Sequence, residues 1–220
     1  SSGHALSSNE DGFSWKQKVE AAVQKIRDGH LKKVVLARTH TLPTTQICAA
    51  NLLESLLQMN DDTFVYGYKR GNELLIGASP ERLVRLDSGT LTTQALAGTT
   101  RRSQDSTEDA ALAEQLISSE KERKEHSIVV EQIQKVLSTC CEHLKVPKEP
   151  VIRRLKQVQH LDTPISGRVL APVGILDLVK ELHPTPAVAG VPQIDAVNYI
   201  RAHENQDRGW YAAPLGWVDS

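Results

Sequence analysis

Apolar positions recur along the chain with two periods, and the places where the period changes mark out the elements. After Ser14, a residue able to cap a helix, Trp15, Val19, Ala22, Val23 and Ile26 fall at i, i+4, i+7, i+8 and i+11. They form one helical stripe, which Gly29 ends. From Lys33 to Leu42 the spacing changes to alternation, Val34 and Leu36 against Val35 and Ala37, and predicts a strand stopped by Pro43. Thr45–Met59 returns to helical spacing, with Ile47, Ala50, Leu53, Leu56 and Leu57 on one stripe. Two hairpins are then expected: Thr63–Lys69 with Glu73–Ala78 around Arg70-Gly71-Asn72, and Arg82–Leu86 with Thr90–Leu96 around Asp87-Ser88-Gly89. No proline or glycine interrupts Ser106 to about Leu144, a stretch rich in Ala, Glu, Lys and Leu that predicts helix. Val151–Val158 alternates as a strand, helices follow at Ile175–Leu182 and Ile194–His203, and Trp210–Val218 reads as a last strand. Antiparallel hairpins among long helices predict an α+β fold rather than a doubly wound sheet.

Composition narrows the function classes. A chain of 220 residues, 40% apolar and 24% charged, can bury a core without disulfide or metal staples. Lys and Arg number 26 against 27 Asp and Glu, so no basic footprint favours nucleic acid or an anionic membrane. No apolar run approaches the ~20 residues of a membrane span. The first 14 residues are Ser/Asn/Gly-rich and acidic, read as a flexible segment ahead of one domain over 15–220, without the marks of a secretory signal. Cys48, Cys140 and Cys141 are odd in number and two are adjacent, which argues against a disulfide framework or a zinc site. A reduced, cytoplasmic setting is the expectation.

Several segments could carry chemistry, each with a plainer alternative. Lys33 opens an apolar strand; it is a solvated strand end, or, if desolvated, an amine able to take a proton from water. In Gly77-Ala-Ser-Pro-Glu81 a strand ends and Pro80 sets a turn from which Glu81 projects, either as a surface turn or as an acid partner to Lys33. Ala97-Gly-Thr-Thr-Arg-Arg102 lies between a strand and a helix, where Gly98 and Thr99 could hold an anion against backbone N–H groups or simply form a turn. Glu122 and Glu125 share one helix face; with Lys121, Arg123 and Lys124 around them they form a solvated face, or two hard oxygen donors for Mg²⁺. His160 follows a predicted strand as a core histidine or a catalyst. The proline-rich loop His183–Pro192 can wall a pocket, and Tyr211 offers a phenolic donor.

In this order the segments resemble the chorismate-utilising enzymes. The matching blocks are Lys33-Val-Val-Leu-Ala-Arg, Gly77-Ala-Ser-Pro-Glu, Leu96-Ala-Gly-Thr-Thr-Arg-Arg, Ser119-Glu-Lys-Glu-Arg-Lys-Glu-His-Ser-Ile-Val-Val, Gln159-His-Leu-Asp-Thr, His183-Pro-Thr-Pro-Ala-Val-Ala-Gly-Val-Pro and Asp207-Arg-Gly-Trp-Tyr-Ala. Three positions resemble the isochorismate synthase branch. Lys33 stands where the water-adding members have their base, Ala97 where aminodeoxychorismate synthases have a lysine nucleophile, and Ala187 where pyruvate-expelling members carry threonine. The resemblance implies that Lys33 activates water for addition at C2 of chorismate while Glu81 protonates the departing C4 hydroxyl. It further implies Mg²⁺ at Glu122 and Glu125, a substrate carboxylate at Gly98 and Thr99, a ring-side oxygen at His160, and the pyruvyl group near Ala187 and Tyr211. The chain departs from the family at its end, Gly216-Trp-Val-Asp-Ser220, ahead of a segment with an arginine, a Gly-Ala-Gly turn, a second glutamate pair and a lysine. Much of the amino-terminal sheet is absent too, and Ala213 replaces a usual glycine. The expectation is therefore a partial chorismate-binding domain. The alternatives are a salicylate or anthranilate synthase, or a fragment that turns nothing over.

Overall fold

The computed structural model describes residues 12–42, 47–59 and 62–219. Its centre is an antiparallel five-stranded sheet with helices packed on one face, the α+β arrangement that the hairpin pattern predicts. Strands β4 (Arg85–Asp87), β5 (Thr90–Arg101), β8 (Val158–Val169) and β6 (Cys141–Lys145) lie in that order, and β7 (Val151–Arg154) pairs with the first half of β8. β5 and β8 are the two long strands, in register from Thr90↔Arg168 to Arg101↔Val158 with one irregularity between Ala97 and Thr99.

β8 is the strand that periodicity misses. Pro164 and Gly167 interrupt it, and proline cannot donate to a ladder. The strand survives because Pro164 is exposed opposite Gln94 while Leu161, Thr163 and Ile165 point into the core. His160 therefore sits within a strand and not after one.

The long helical stretch is two helices followed by a strand. α3 (Ser106–Ser118) and α4 (Glu120–Leu137) meet at Ser119, whose side chain accepts a hydrogen bond from the Glu122 N–H and so starts a new helix. Along α4, His126, Val129, Ile133 and Leu137 are buried at spacings of three and four, against Leu91, Ala95 and Ile165 of the sheet. Cys141–Lys145 leaves the helix to pair with β8, tertiary pairing overriding a local preference. α5 (Ile175–Leu182) adds Leu178 and Leu182 to this core.

A second, smaller cluster joins α1 (Gly12–Arg27) through Ala22 to Leu31 and to Ala196 and Tyr199 of α6 (Gln193–His203). α1 begins ahead of Ser14, which lies inside its first turn and is not its cap; residues 1–11 of the expected flexible segment fall outside the described residues. The predicted strand Lys33–Leu42 is regular only over β1 (Lys33–Val34), which pairs with β9 (Gly190–Val191). α2 (Ala49–Met59) is shorter than expected, with Thr45 outside the described residues. The hairpin β2 (Phe64–Arg70) and β3 (Glu73–Ser79) forms as predicted.

Trp210–Val218 is not a strand. Gly209 and Ala212 take positive φ in a turn, and Trp210 and Trp217 set their rings against Tyr68 and Phe64, at 4.7 and 6.4 Å, so the bulky residues serve ring packing instead of a ladder. All three cysteines are free; burial raises the Cys141 thiol to about 12, so it stays protonated. Among the described residues no helix is long and apolar enough to cross a membrane.

Candidate active site

Two groups of side chains meet along the first turns of α4. The first is built around Lys33. β1 ends the short ladder to β9, and Lys33 Nζ donates to the Pro186 carbonyl at 2.7 Å. Burial pulls its pKa below the ordinary 10.5, against the opposing fields of Glu125 and then Glu81. Glu81 sits just past β3. Gln94 of β5 donates to the Pro80 carbonyl at 2.9 Å, and the Glu81 N–H bonds Ser79 Oγ at 3.2 Å, which fixes the turn that presents the carboxyl. Burial raises the Glu81 pKa above 4.5, with Lys33 and the Thr185 hydroxyl opposing. Thr185 is itself buried and its hydroxyl closes no well-formed hydrogen bond. Nor do Lys33 and Glu81 close an ion pair. A neutral amine and a protonated carboxyl are the forms that burial favours.

The second group lies at the irregularity in β5. Gly98 has φ +80° there, and a Cβ on it would meet Leu161 Cδ1 at 3.2 Å and Glu122 Oε2 at 3.3 Å. A side chain at this φ is strained, and Leu161 and Glu122 would have to give way by a few tenths of an ångström to admit one. This corrects the expectation of a strand-to-helix turn: Gly98 and Thr99 lie inside β5, and α3 starts only after its cap at Asp105. Thr99 Oγ1 and His160 Nδ1 are 2.9 Å apart across the β5·β8 pair. Burial lowers the His160 pKa, so the ring is neutral near pH 7.

α4 connects the groups. Its Glu122 reaches Gly98 and its Glu125 acts on Lys33, one helical turn apart. His126, next in line, holds the strand below: Nδ1 is 3.1 Å from the Ala97 carbonyl and Nε2 is 2.7 Å from Thr163 Oγ1. Sequence reasoning did not single out His126, Thr185 or Gln94; an α4 stripe running Glu122, His126, Val129 was the available signal for the first.

The carboxylates of Glu122 and Glu125 suit a hard cation as a partial set, since Mg²⁺ keeps several waters and takes few protein oxygens. Glu122 Oε2 comes within 3.3 Å of where a Gly98 Cβ would stand, so the carboxylate lies directly against the β5 backbone. Lys121 lies 3.3 Å from Glu122 and 3.9 Å from Glu125, satisfying part of their charge. Among the described residues no group of three His, Cys, Asp or Glu side chains could hold a metal.

Ala187 follows Pro186 directly, placing its methyl in the loop that accepts from Lys33 Nζ. Tyr211 is 58% exposed, with the Arg208 guanidinium 5.8 Å over its ring. On the other side of β1, Lys32 lines a separate groove of about 580 Å³ with Ile128, Glu131, Gln132 and Pro192.

The chain matches the family model described as chorismate binding enzyme over residues 3–220. It is 49% identical over 205 residues to the salicylate biosynthesis isochorismate synthase of Pseudomonas aeruginosa, covering 93% of this chain and 43% of that protein. It is 39% identical over 211 residues to isochorismate synthase MenF of Bacillus subtilis, covering 96% and 45%. The structure of MenF, the menaquinone-specific isochorismate synthase from Escherichia coli, superposes with a TM-score of 0.79 at 33% identity, over 90% of this chain and 46% of that one. The chain thus spans under half the length of these relatives.

Proposed function

The chain belongs to the chorismate-binding enzyme family, and from that premise we propose that it carries the acid–base half of an isochorismate synthase. The observation that supports this most is the opposed tuning of Lys33 and Glu81, two buried groups close enough to feel each other's charge. The neutral Lys33 amine takes a proton from water, whose oxygen bonds to C2 of chorismate. Both ring double bonds shift, from C1=C2 and C5=C6 to C6=C1 and C4=C5, the C4–O bond breaks, and Glu81 gives its proton to the leaving hydroxyl, which departs as water. One water enters and one leaves, so substrate and product are isomers. A base must be neutral and an acid protonated at the same pH, which the burial of both groups favours. The Lys33 amine is oriented by the Pro186 carbonyl, and the bare Gly98 backbone, beside Thr99 and His160, is where a substrate carboxylate would bind.

Mg²⁺ belongs to this reading, held by Glu122 and Glu125, where it would neutralise a substrate carboxylate. Ala187 supports hydration without pyruvate loss, because a methyl adds no hydroxyl to the pocket wall. A reducing, cytoplasmic setting is part of the same reading, supported by three free thiols.

The test is incubation of the intact protein with chorismate and Mg²⁺, with products separated by chromatography. Isochorismate is the expected product. Pyruvate in a coupled lactate dehydrogenase assay would replace this reading with a salicylate or anthranilate synthase.

A further inference from the structure

Val35 and Ala37 continue the alternation of β1, yet the strand opposite them ends at Gly190. The Val35 N–H still reaches the Ala189 carbonyl, at 2.7 Å. Beyond that point the main chain bonds to an ion pair. Arg208 Nε lies 2.8 Å from Glu204 Oε2, and Arg208 Nη2 lies 2.5 Å from Glu204 Oε1. The two side chains are 17% and 3% exposed. Glu204 Oε1 also accepts the Ala37 N–H at 2.7 Å, and Arg208 Nη2 donates to the Val35 carbonyl at 2.7 Å. The pair thus presents a donor and an acceptor to the free edge of residues 35–37, as a neighbouring strand does.

The guanidinium has one more edge. Its Nη1 donates to the Val188 carbonyl at 2.8 Å, in the loop whose Pro186 carbonyl accepts from Lys33 Nζ. Val35 lies two positions beyond Lys33, and Val188 two positions beyond Pro186. The ion pair therefore spans the two segments that carry the amine and the carbonyl orienting it. A buried charge pair is justified energetically only where its remaining donors and acceptors are satisfied, and here the main chain satisfies them.

We infer that Arg208 and Glu204 are positioning residues, a buried ion pair standing in for a missing strand that fixes residues 33–37 against the loop 185–189 and so sets where the Lys33 amine meets its water. The inference rests on the reading of Lys33 as the base. Lysine cannot replace Arg208, because one ammonium nitrogen cannot span both oxygens of Glu204 and two separate carbonyls.

The experiment compares the intact wild-type protein with Arg208→Lys and Glu204→Gln in parallel, so that loss of folding in one variant leaves the other. Steady-state kinetics on chorismate and hydrogen exchange at single amides are both measured. A displacement of about 1 Å at a reacting group costs up to ~10²-fold in rate. We expect kcat to fall by about that factor with KM held within about twofold, since Gly98, Thr99 and His160 lie outside the pair's reach. The Ala37 amide should exchange about tenfold faster or more, while the amides of Ile133 and Leu161 keep their protection. Unchanged Ala37 exchange would overturn the inference, and so would core amides loosening in step with Ala37. Faster Ala37 exchange with unaltered kcat would overturn it as well. A wild-type protein that leaves chorismate unchanged defeats the functional reading instead, and the exchange comparison then decides the ion pair by itself.

Discussion

Lys33 and Glu81 are placed where neither is comfortable as an ion. In the unfolded chain Lys33 holds its proton up to about its ordinary 10.5, whereas in the fold it releases it at lower pH. Below 10.5 the unfolded state therefore binds more protons at this site, and stability falls as pH drops through the folded value. Glu81 behaves in the opposite sense: its folded pKa is raised above 4.5, so stability falls as pH rises through that window. Both terms act against the fold between the two ordinary values. Lys33→Met should consequently raise Tm at pH 7, read by circular dichroism, although it removes the donor to Pro186. Lys33→Ala should cut turnover of chorismate by ~10²–10⁴, the usual loss for a general base. Retention of a tenth of wild-type turnover in steady-state assays would reduce Lys33 to a strand-end lysine. The candidates Lys33, Glu81, Glu122 and Glu125 were legible as residue types in ordered blocks. Thr185, Gln94 and the Arg208–Glu204 pair were not, because each acts through a fold-dependent contact far away in sequence and breaks no local pattern.

Elements carry the next level of argument. Helices with clean stripes were readable: Ile175–Leu182 occurs as expected and the α6 boundary moves by one residue. Strands were harder, because pairing decides them. Pro164 and Gly167 hid β8, the partner of β5 over most of its length, and Trp210–Val218 looked like a strand only because bulky residues alternate. The Gly98 irregularity belongs to this scale, since two strands and a helix create it. Gly98→Ala would force a side chain into φ +80° against Leu161 and Glu122. We expect a loss of about 1–3 kcal/mol in urea unfolding, together with weakened dependence of turnover on Mg²⁺ concentration. Wild-type behaviour in both measurements would mean the space over Gly98 is not used.

At the scale of the molecule, two apolar clusters share the work unevenly. The α4–sheet cluster holds Leu91, Val129, Leu137 and Ile165 almost without exposure, while the α1–α6 cluster centres on Ala22, Leu31, Ala196 and Tyr199. Leu137→Ala should cost about 2–5 kcal/mol in a denaturant titration, as a fully buried leucine in a packed core. A loss under about 1 kcal/mol would show that the cluster collapses around the gap. Gly98, Thr99 and His160 are fastened to the larger cluster through β5 and β8, and Glu81 through the Gln94–Pro80 bond and the following Leu83 and Val84, whereas Lys33 is fastened to the smaller one beside Leu31.

The two-residue ladder of β1 with β9 has a consequence in time. With the flanking Lys32–Val191 and Val35–Ala189 bonds and the Arg208–Glu204 bridge it is still a smaller unit than the main sheet, so it opens without waiting for that sheet to unfold. The amine and the carboxyl then keep different clocks, one governed by local fraying and the other by global unfolding. On slow heating, catalysis should vanish several degrees before the far-ultraviolet signal changes, and cooling from that interval should restore it fully, because only the small ladder has come apart.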